Sequence, residues 1–89
     1  MNQVPQQYPF PQSRRPLDTA EGILIALRHC TANEAFHEIV NTSRQHRIPV
    51  FSLATALITV AIGNPDSANP AARAAVQTQW GHLLSLSDQ

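Results

Sequence analysis

The sequence predicts an all-α fold, a three-helix bundle with an additional C-terminal helix. Apolar residues recur at the i, i+3, i+4 and i+7 spacing of an amphipathic helix, and no segment alternates with the period of a strand. A chain of 89 residues is long enough for one small domain. With 43% apolar and 13% charged residues, the chain is too apolar to be disordered throughout, so we expect a small core.

The N-terminal residues 1–13 are rich in Pro and Gln and carry no charged side chain, which predicts a flexible arm. The first helix is predicted over residues 16–29. Pro16 suits the first turn of a helix, where its missing N–H costs no hydrogen bond, and Asp18 is well placed there for the helix dipole. The predicted core face of this helix consists of Leu17, Ala20, Ile23, Leu24 and Leu27.

The second helix is predicted over residues 32–46. Thr31 and Glu34 have the spacing of a capping box, in which each side chain accepts a hydrogen bond from the other residue's N–H group. One side of this helix consists of Ala32, Phe36, Ile39, Val40 and Ser43. Its polar side consists of Glu34, Glu38, Asn41 and Gln45.

The third helix is predicted over residues 50–62, because Pro49 precedes it and Gly63 followed by Pro65 ends it. This helix has two apolar stripes. The expected core stripe consists of Val50, Leu53, Ala54, Leu57 and Ala61. The second stripe consists of Phe51, Ile58 and Ile62, and a helix that is apolar over so much of its circumference needs cover on two sides.

A fourth helix over residues 70–84 is predicted by Asn69 as its cap and by Pro70 at its first position. We expect it to cover the second stripe, either within its own chain or across a dimer. The packing stripe would then consist of Phe51, Ile58, Ile62, Val76, Trp80 and Leu83. The predicted organisation is an arm (1–13), a three-helix domain (14–63) and a C-terminal helix with a frayed tail (64–89).

Catalytic and metal-binding patterns are missing from the sequence. The four His and the one Cys, Cys30, do not occur at metal-ligand spacings, and no glycine-rich phosphate loop is present. We therefore expect no enzyme, no metal and no cofactor. There is neither a signal-peptide pattern nor an apolar run long enough to cross a bilayer, so the expected location is the cytoplasm.

The glycine inside the first helix and the arginines are the candidate binding residues. Gly22 lies opposite the core face, where a glycine costs about 1 kcal/mol relative to Ala, and the close approach of another molecule's backbone would explain it. Six Arg balance six acidic residues, with no Lys. Arginine pairs with phosphate and stacks on bases, although scattered arginines are also ordinary on a solvated surface.

Several segments together resemble the ANTAR domain, a bacterial RNA-binding module of transcription antitermination regulators. They are LDTAEGILI from Leu17, CTANEAF from Cys30, SRQHRIPV from Ser43, and Leu53-Ala54. The resemblance covers about residues 14–62, and the version with Cys30 and Pro49-Val50 is similar to actinobacterial members. It implies a three-helix bundle that binds paired hairpins of a leader RNA, commonly as a homodimer and often behind a sensor domain. We expect a stand-alone member, with a sensor protein as a further partner.

The resemblance also implies site residues. The candidate RNA-binding residues are Arg14, Arg15, Ala20, Gly22, Arg28, Arg44 and Arg47. Glu21, Pro49 and Phe51 stand where many family members have a basic residue. The alternative therefore stays open that the chain is a helical dimerisation or protein-interaction module that has lost RNA binding. DNA recognition is disfavoured, because the third helix has no basic or amide side chains to read base edges.

Overall fold

Four α-helices form the part of the chain that the structure describes. The computed structural model describes the backbone of residues 9–84 and the side chains of residues 15–84. The helices are α1 (Pro9–Arg28), α2 (Ala32–His46), α3 (Val50–Ala61) and α4 (Pro70–Leu84), with a 3-10 turn (Pro65–Ser67) before α4. Over the described residues there is no strand and no helix long and apolar enough to cross a membrane. The all-α class with its extra C-terminal helix is confirmed.

The helix boundaries set by local caps lie at or within one residue of their predicted positions. The capping box before α2 is present: the Glu34 N–H group donates to the Thr31 hydroxyl at 3.1 Å, and the Thr31 N–H group donates to the Glu34 carboxylate at 2.9 Å. Gly63 follows α3 with φ of 88°, a left-handed conformation that favours glycine. The side chain of Asn69 accepts hydrogen bonds from two N–H groups in the first turn of α4.

The predicted start of the first helix is wrong. Helix α1 begins at Pro9 rather than at residue 16, so Pro16 lies inside the helix, and no acidic residue lies in its first turn. Pro9 and Pro11 suit a first turn as well as Pro16 does, and local rules do not distinguish these starts. Residues 9–13 of the predicted arm are therefore helical, and residues 1–8 lie outside the described residues.

Helix α3 is central, because it packs against α1, α2 and α4. Its Leu53, Ala54 and Leu57 side chains have no exposed surface. The other helices complete one core with mostly small side chains. The fully buried or nearly buried members from these helices are Leu17, Ala20, Leu24, Ala35, Ile39, Ala72, Ala75, Val76 and Trp80.

The prediction that α4 covers the second stripe of α3 within the same chain is wrong for two of its residues. Phe51 is 44% exposed and Ile62 is 70% exposed, whereas Ile58 is half-buried. Val76 and Trp80 are fully buried, and Leu83 is half-buried. The apolar face of α4 is thus turned into the common core, and among the described residues α4 leaves Phe51 partly exposed and Ile62 mostly exposed.

Candidate nucleic-acid interface

The connection between α2 and α3 is a tight turn that is fixed by hydrogen bonds. The N–H group of Arg47 donates to the Arg44 carbonyl at 3.3 Å, and the N–H group of Ile48 donates to the Ser43 carbonyl at 3.0 Å. This pair of bonds is a Schellman motif. The Ser43 hydroxyl also donates to the Ile48 carbonyl at 2.6 Å. Because Ile48 is only 9% exposed, the turn is anchored in the core.

Two arginines and one aromatic ring are exposed around this turn. We call Arg44, Arg47 and Phe51 the basic corner. Neither arginine has an ion pair or a side-chain hydrogen bond among the described residues. The sequence contains no acidic residue between Glu38 and Asp66. The basic corner thus lies in a stretch of sequence that has arginines and no acidic residue, on a chain whose formal net charge is zero.

The backbone at Arg47 is in a conformation that usually favours glycine. Its φ is 56°, and Gly63 occupies the equivalent position after α3. A left-handed conformation costs a residue with a side chain roughly 1–2 kcal/mol. The turn thus presents a charged side chain from a position where glycine would be less strained.

The outer face of α1 carries Arg15 and Gly22, which are both exposed. A Cβ atom built on Gly22 would meet no other atom within 4 Å, so the position is open, and it lies opposite the core as the helical spacing predicts. Arg15 has no ion pair among the described residues. Arg14 is part of α1, but its side chain lies outside the described residues.

Ala20 does not belong to an exposed surface. Its side chain is fully buried and lies in the core with Leu17 and Leu24. A side chain without exposed surface cannot contact RNA while the domain is folded. We therefore withdraw Ala20 from the candidate set and assign it to helix packing.

Arg28 belongs to a network that joins three helices. Its guanidinium lies 2.9 Å from Oε2 of Glu38, and the same oxygen accepts a hydrogen bond from the Trp80 indole N–H group at 2.8 Å. We call these three residues the Glu38 bridge. Because the Arg28 charge is paired in this bridge, we place Arg28 outside the candidate interface.

The Glu38 bridge could not be predicted from the sequence pattern. Glu38 was assigned to the polar side of α2, and no local pattern connects it with a residue far along the chain. The usable signal was Trp80 on the apolar face of α4, because a buried indole N–H group needs a hydrogen-bond acceptor. That signal indicates that an acceptor exists, although it does not say which residue provides it.

The remaining arginine, Arg73, pairs with Asp66, with 3.4 Å between Nη1 and Oδ1. Both residues come after α3 in the sequence. This pair is local, since the two residues lie within the connection to α4 and its first turn. Among the described residues, no three His, Cys, Asp or Glu side chains are grouped so that they could hold a metal ion.

Comparison with known families gives the class of protein to which the fold belongs. A family described as the ANTAR domain matches residues 11–58, which is more than half of the chain and includes most of α1, all of α2 and most of α3. The chain belongs to the ANTAR domain family. ANTAR domains are RNA-binding regulatory domains of antitermination regulators, not enzymes. No curated protein and no solved structure matches the chain significantly.

Proposed function

We propose that the chain is a transcription antitermination regulator that recognises hairpin loops in a leader RNA, with the basic corner as its main contact surface. The observation that carries this proposal is the pair Arg44 and Arg47, which are exposed and have no described partner. Binding that favours the antiterminator form of a transcript would shift the RNA toward that form, because a ligand shifts an equilibrium toward the state that it binds better.

The chemistry of the basic corner suits a structured RNA. A guanidinium pairs bidentately with a phosphate, and such contacts fix the register of the complex. Hairpin loops add unstacked bases that stack on aromatic rings. Because the turn at Ser43–Ile48 is held by hydrogen bonds before binding, its backbone needs little further ordering on association.

Helix α1 extends the proposed surface. The short connection at residues 29–31 favours antiparallel packing of α1 and α2, which directs the end of α2 toward the N-terminal half of α1. We therefore include Arg14 and Arg15 with the basic corner. Gly22 lies in the C-terminal half of α1, and we keep it as a separate candidate contact. Arg14 and Arg15 would hold further phosphates, and Gly22 would allow the RNA backbone to approach α1 closely.

Binding to a hairpin RNA tests this proposal. Two-hairpin RNAs with randomised loops are selected against the full chain, and the dissociation constant of the tightest RNA is measured by fluorescence anisotropy over a range of salt concentrations. We expect the double variant Arg44→Ala/Arg47→Ala to bind at least about tenfold more weakly, the loss for a charge-assisted contact. Its log–log salt slope should fall by about 1.4, which is about 0.7 for each lost phosphate contact.

A matched variant and a second substitution keep this test specific. Arg73→Ala removes an arginine that is paired with Asp66 and should keep both the affinity and the salt slope. Arg47→Gly should weaken RNA binding without lowering the melting temperature, because glycine suits φ of 56°. His29→Gly, at φ of 57° after α1, should leave RNA binding unchanged. The proposal fails if no RNA is selected or if the double variant binds as well as the unaltered chain.

The exposure of Phe51 and Ile62 supports a second candidate function, that of a helical dimerisation or protein-interaction module. Uncovered apolar side chains of this size are suited to a second copy of the chain or to a sensor protein. Light scattering after size exclusion should then give the mass of a dimer at micromolar concentration. A monomer under these conditions would contradict the homodimer, and co-purification with the sensor would then be needed to support a sensor contact.

A further inference from the structure

Phe51 is an exposed aromatic ring at a position where the sequence predicts burial. Its side chain is 44% exposed in the first turn of α3, and no described aromatic or cationic group stacks against its ring. The apolar face of α4 is turned away from it into the core, where Trp80 is fully buried. The fold thus provides a free ring face at the surface.

The charges around Phe51 indicate what kind of partner the ring can meet. Arg47 lies four residues earlier, and four residues span at most about 14 Å even when fully extended, so the backbone positions of the two residues lie within that distance. A protein partner whose apolar face covered Phe51 and also reached Arg44 and Arg47 would desolvate both guanidinium groups, which is costly without counter-charges. A nucleic acid provides a flat base for the ring and phosphates for the arginines.

Among the side chains that the structure describes, the other exposed aromatic residue, Phe36, lies in a different environment. It is 37% exposed, contacts His37 edge-on with ring centroids 5.8 Å apart, and lines a shallow depression together with Glu21. A carboxylate beside the ring disfavours the approach of a phosphate backbone. Of the two rings, only Phe51 combines exposure with neighbouring positive charge.

We propose that Phe51 is the stacking platform for one unpaired base of the RNA loop, while Arg44 and Arg47 hold the adjacent phosphates. This inference rests on the proposed function and adds to it a sequence-tolerant contact that is independent of charge. It gives a binding role to a residue that stands where many family members have a basic residue, so that stacking replaces a phosphate contact at this position.

Three substitutions of Phe51 test the proposal with the hairpin RNA selected above. Phe51→Ala should raise the dissociation constant about 5- to 150-fold, the range for losing one stacked base, without changing the salt slope. Phe51→Leu keeps an apolar side chain but no ring, and it should lose affinity similarly. Phe51→Trp should retain binding. The RNA should quench the fluorescence of the new indole, whereas the signal of buried Trp80 should stay constant. Phe36→Ala is the matched control and should bind as the unaltered chain does.

The outcomes separate this inference from the function on which it rests. If the unaltered chain selects no RNA, both are overturned. If it binds RNA, but Phe51→Ala or Phe51→Leu binds equally well while remaining helical by circular dichroism, only the stacking role is overturned. A Phe51→Ala variant that changes the mass of the assembly in light scattering and keeps its affinity for RNA would assign the ring to a protein contact and also overturn the stacking role.

Discussion

Gly22 is an exposed residue inside a helix with open space around its Cα atom. Glycine in a helix interior is less stable than alanine by up to about 1 kcal/mol, because it loses more backbone entropy on folding. No packing constraint within the described residues explains glycine here, since a Cβ atom would meet nothing within 4 Å. A role outside the folded chain, such as close approach by RNA, is consistent with this position.

The variant Gly22→Ala should separate stability from binding. We expect its free energy of unfolding to rise by up to about 1 kcal/mol, because alanine favours the helix and fits the open space. The same variant should bind the hairpin RNA more weakly, because the added methyl group would hold the RNA backbone away from α1. Urea unfolding and fluorescence anisotropy measure the two effects.

A second helical glycine, Gly81 in α4, serves as the control for Gly22. A Cβ atom at Gly81 would lie 3.2 Å from the flexible end of Gln77, which can move. Gly81→Ala should therefore also favour the helix while leaving RNA affinity unchanged. If Gly22→Ala gains stability and keeps full affinity, Gly22 does not lie at the RNA contact.

Helix α4 is held against the ANTAR region by core packing and by the carboxylate of Glu38. The Glu38 bridge connects α4 to α2 and α1 through a residue whose side chain is 21% exposed. Its hydrogen bond to Trp80 lies beside a fully buried ring and should contribute more to stability than its ion pair to Arg28, which is 34% exposed and screened by solvent.

Two substitutions of Glu38 should separate these contributions. Glu38→Ala removes both interactions and should lower the free energy of unfolding by about 1.5–3 kcal/mol, the range for a hydrogen bond to a charged group. Glu38→Gln keeps an acceptor oxygen for the indole N–H group and should cost about 1 kcal/mol or less. Trp80 is the single Trp of the chain, so its fluorescence reports urea unfolding directly.

The exposed pair of Asp66 and Arg73 provides the control for the Glu38 substitutions. The Asp66 side chain is 97% exposed, so Asp66→Asn should leave the unfolding midpoint unchanged. If Glu38→Ala unfolds at the same urea concentration as the unaltered chain, the bridge does not stabilise the attachment of α4.

For the whole molecule, α4 completes the core although it lies outside the matched family region. It contributes four buried side chains: Ala72, Ala75, Val76 and Trp80. Without these side chains, the part of α3 that packs against α4 would be exposed to water. A chain of this size buries a modest fraction of its surface, so losing one of four helices is expected to affect the entire fold.

Truncation after Gly63 should destabilise the protein by on the order of 5 kcal/mol, which is comparable to the whole stability of a small domain. The reason is the loss of Trp80 and its neighbours from the core. Circular dichroism should show a lower melting temperature or an unfolded chain. Ile62→Ala, at a position that is 70% exposed, should melt almost as the unaltered chain does. A truncated chain with an unchanged melting temperature would refute the contribution of α4.

Local signals account for the parts of the fold that were predicted correctly. The capping box at Thr31, the left-handed turn at Gly63 and the cap at Asn69 each act within about five residues, and all three are present. The start of α1 was predicted incorrectly because several prolines satisfy the same local rule. The exposed position of Gly22 and the buried position of Ala20 both agree with the helical spacing of α1, whereas the family resemblance alone had put Ala20 among the RNA-binding candidates.

The amino-acid sequence alone determined the helix set, the family and the net charge, because each depends on neighbouring residues or on composition. Tertiary packing decided which apolar side chains are covered, so that Trp80 is buried and Phe51 remains exposed. Tertiary packing also decided that the Glu38 carboxylate pairs with Arg28 and accepts a hydrogen bond from Trp80 on α4. Glu38 and Trp80 are separated by 42 positions, and a contact over that separation forms only when the helices assemble.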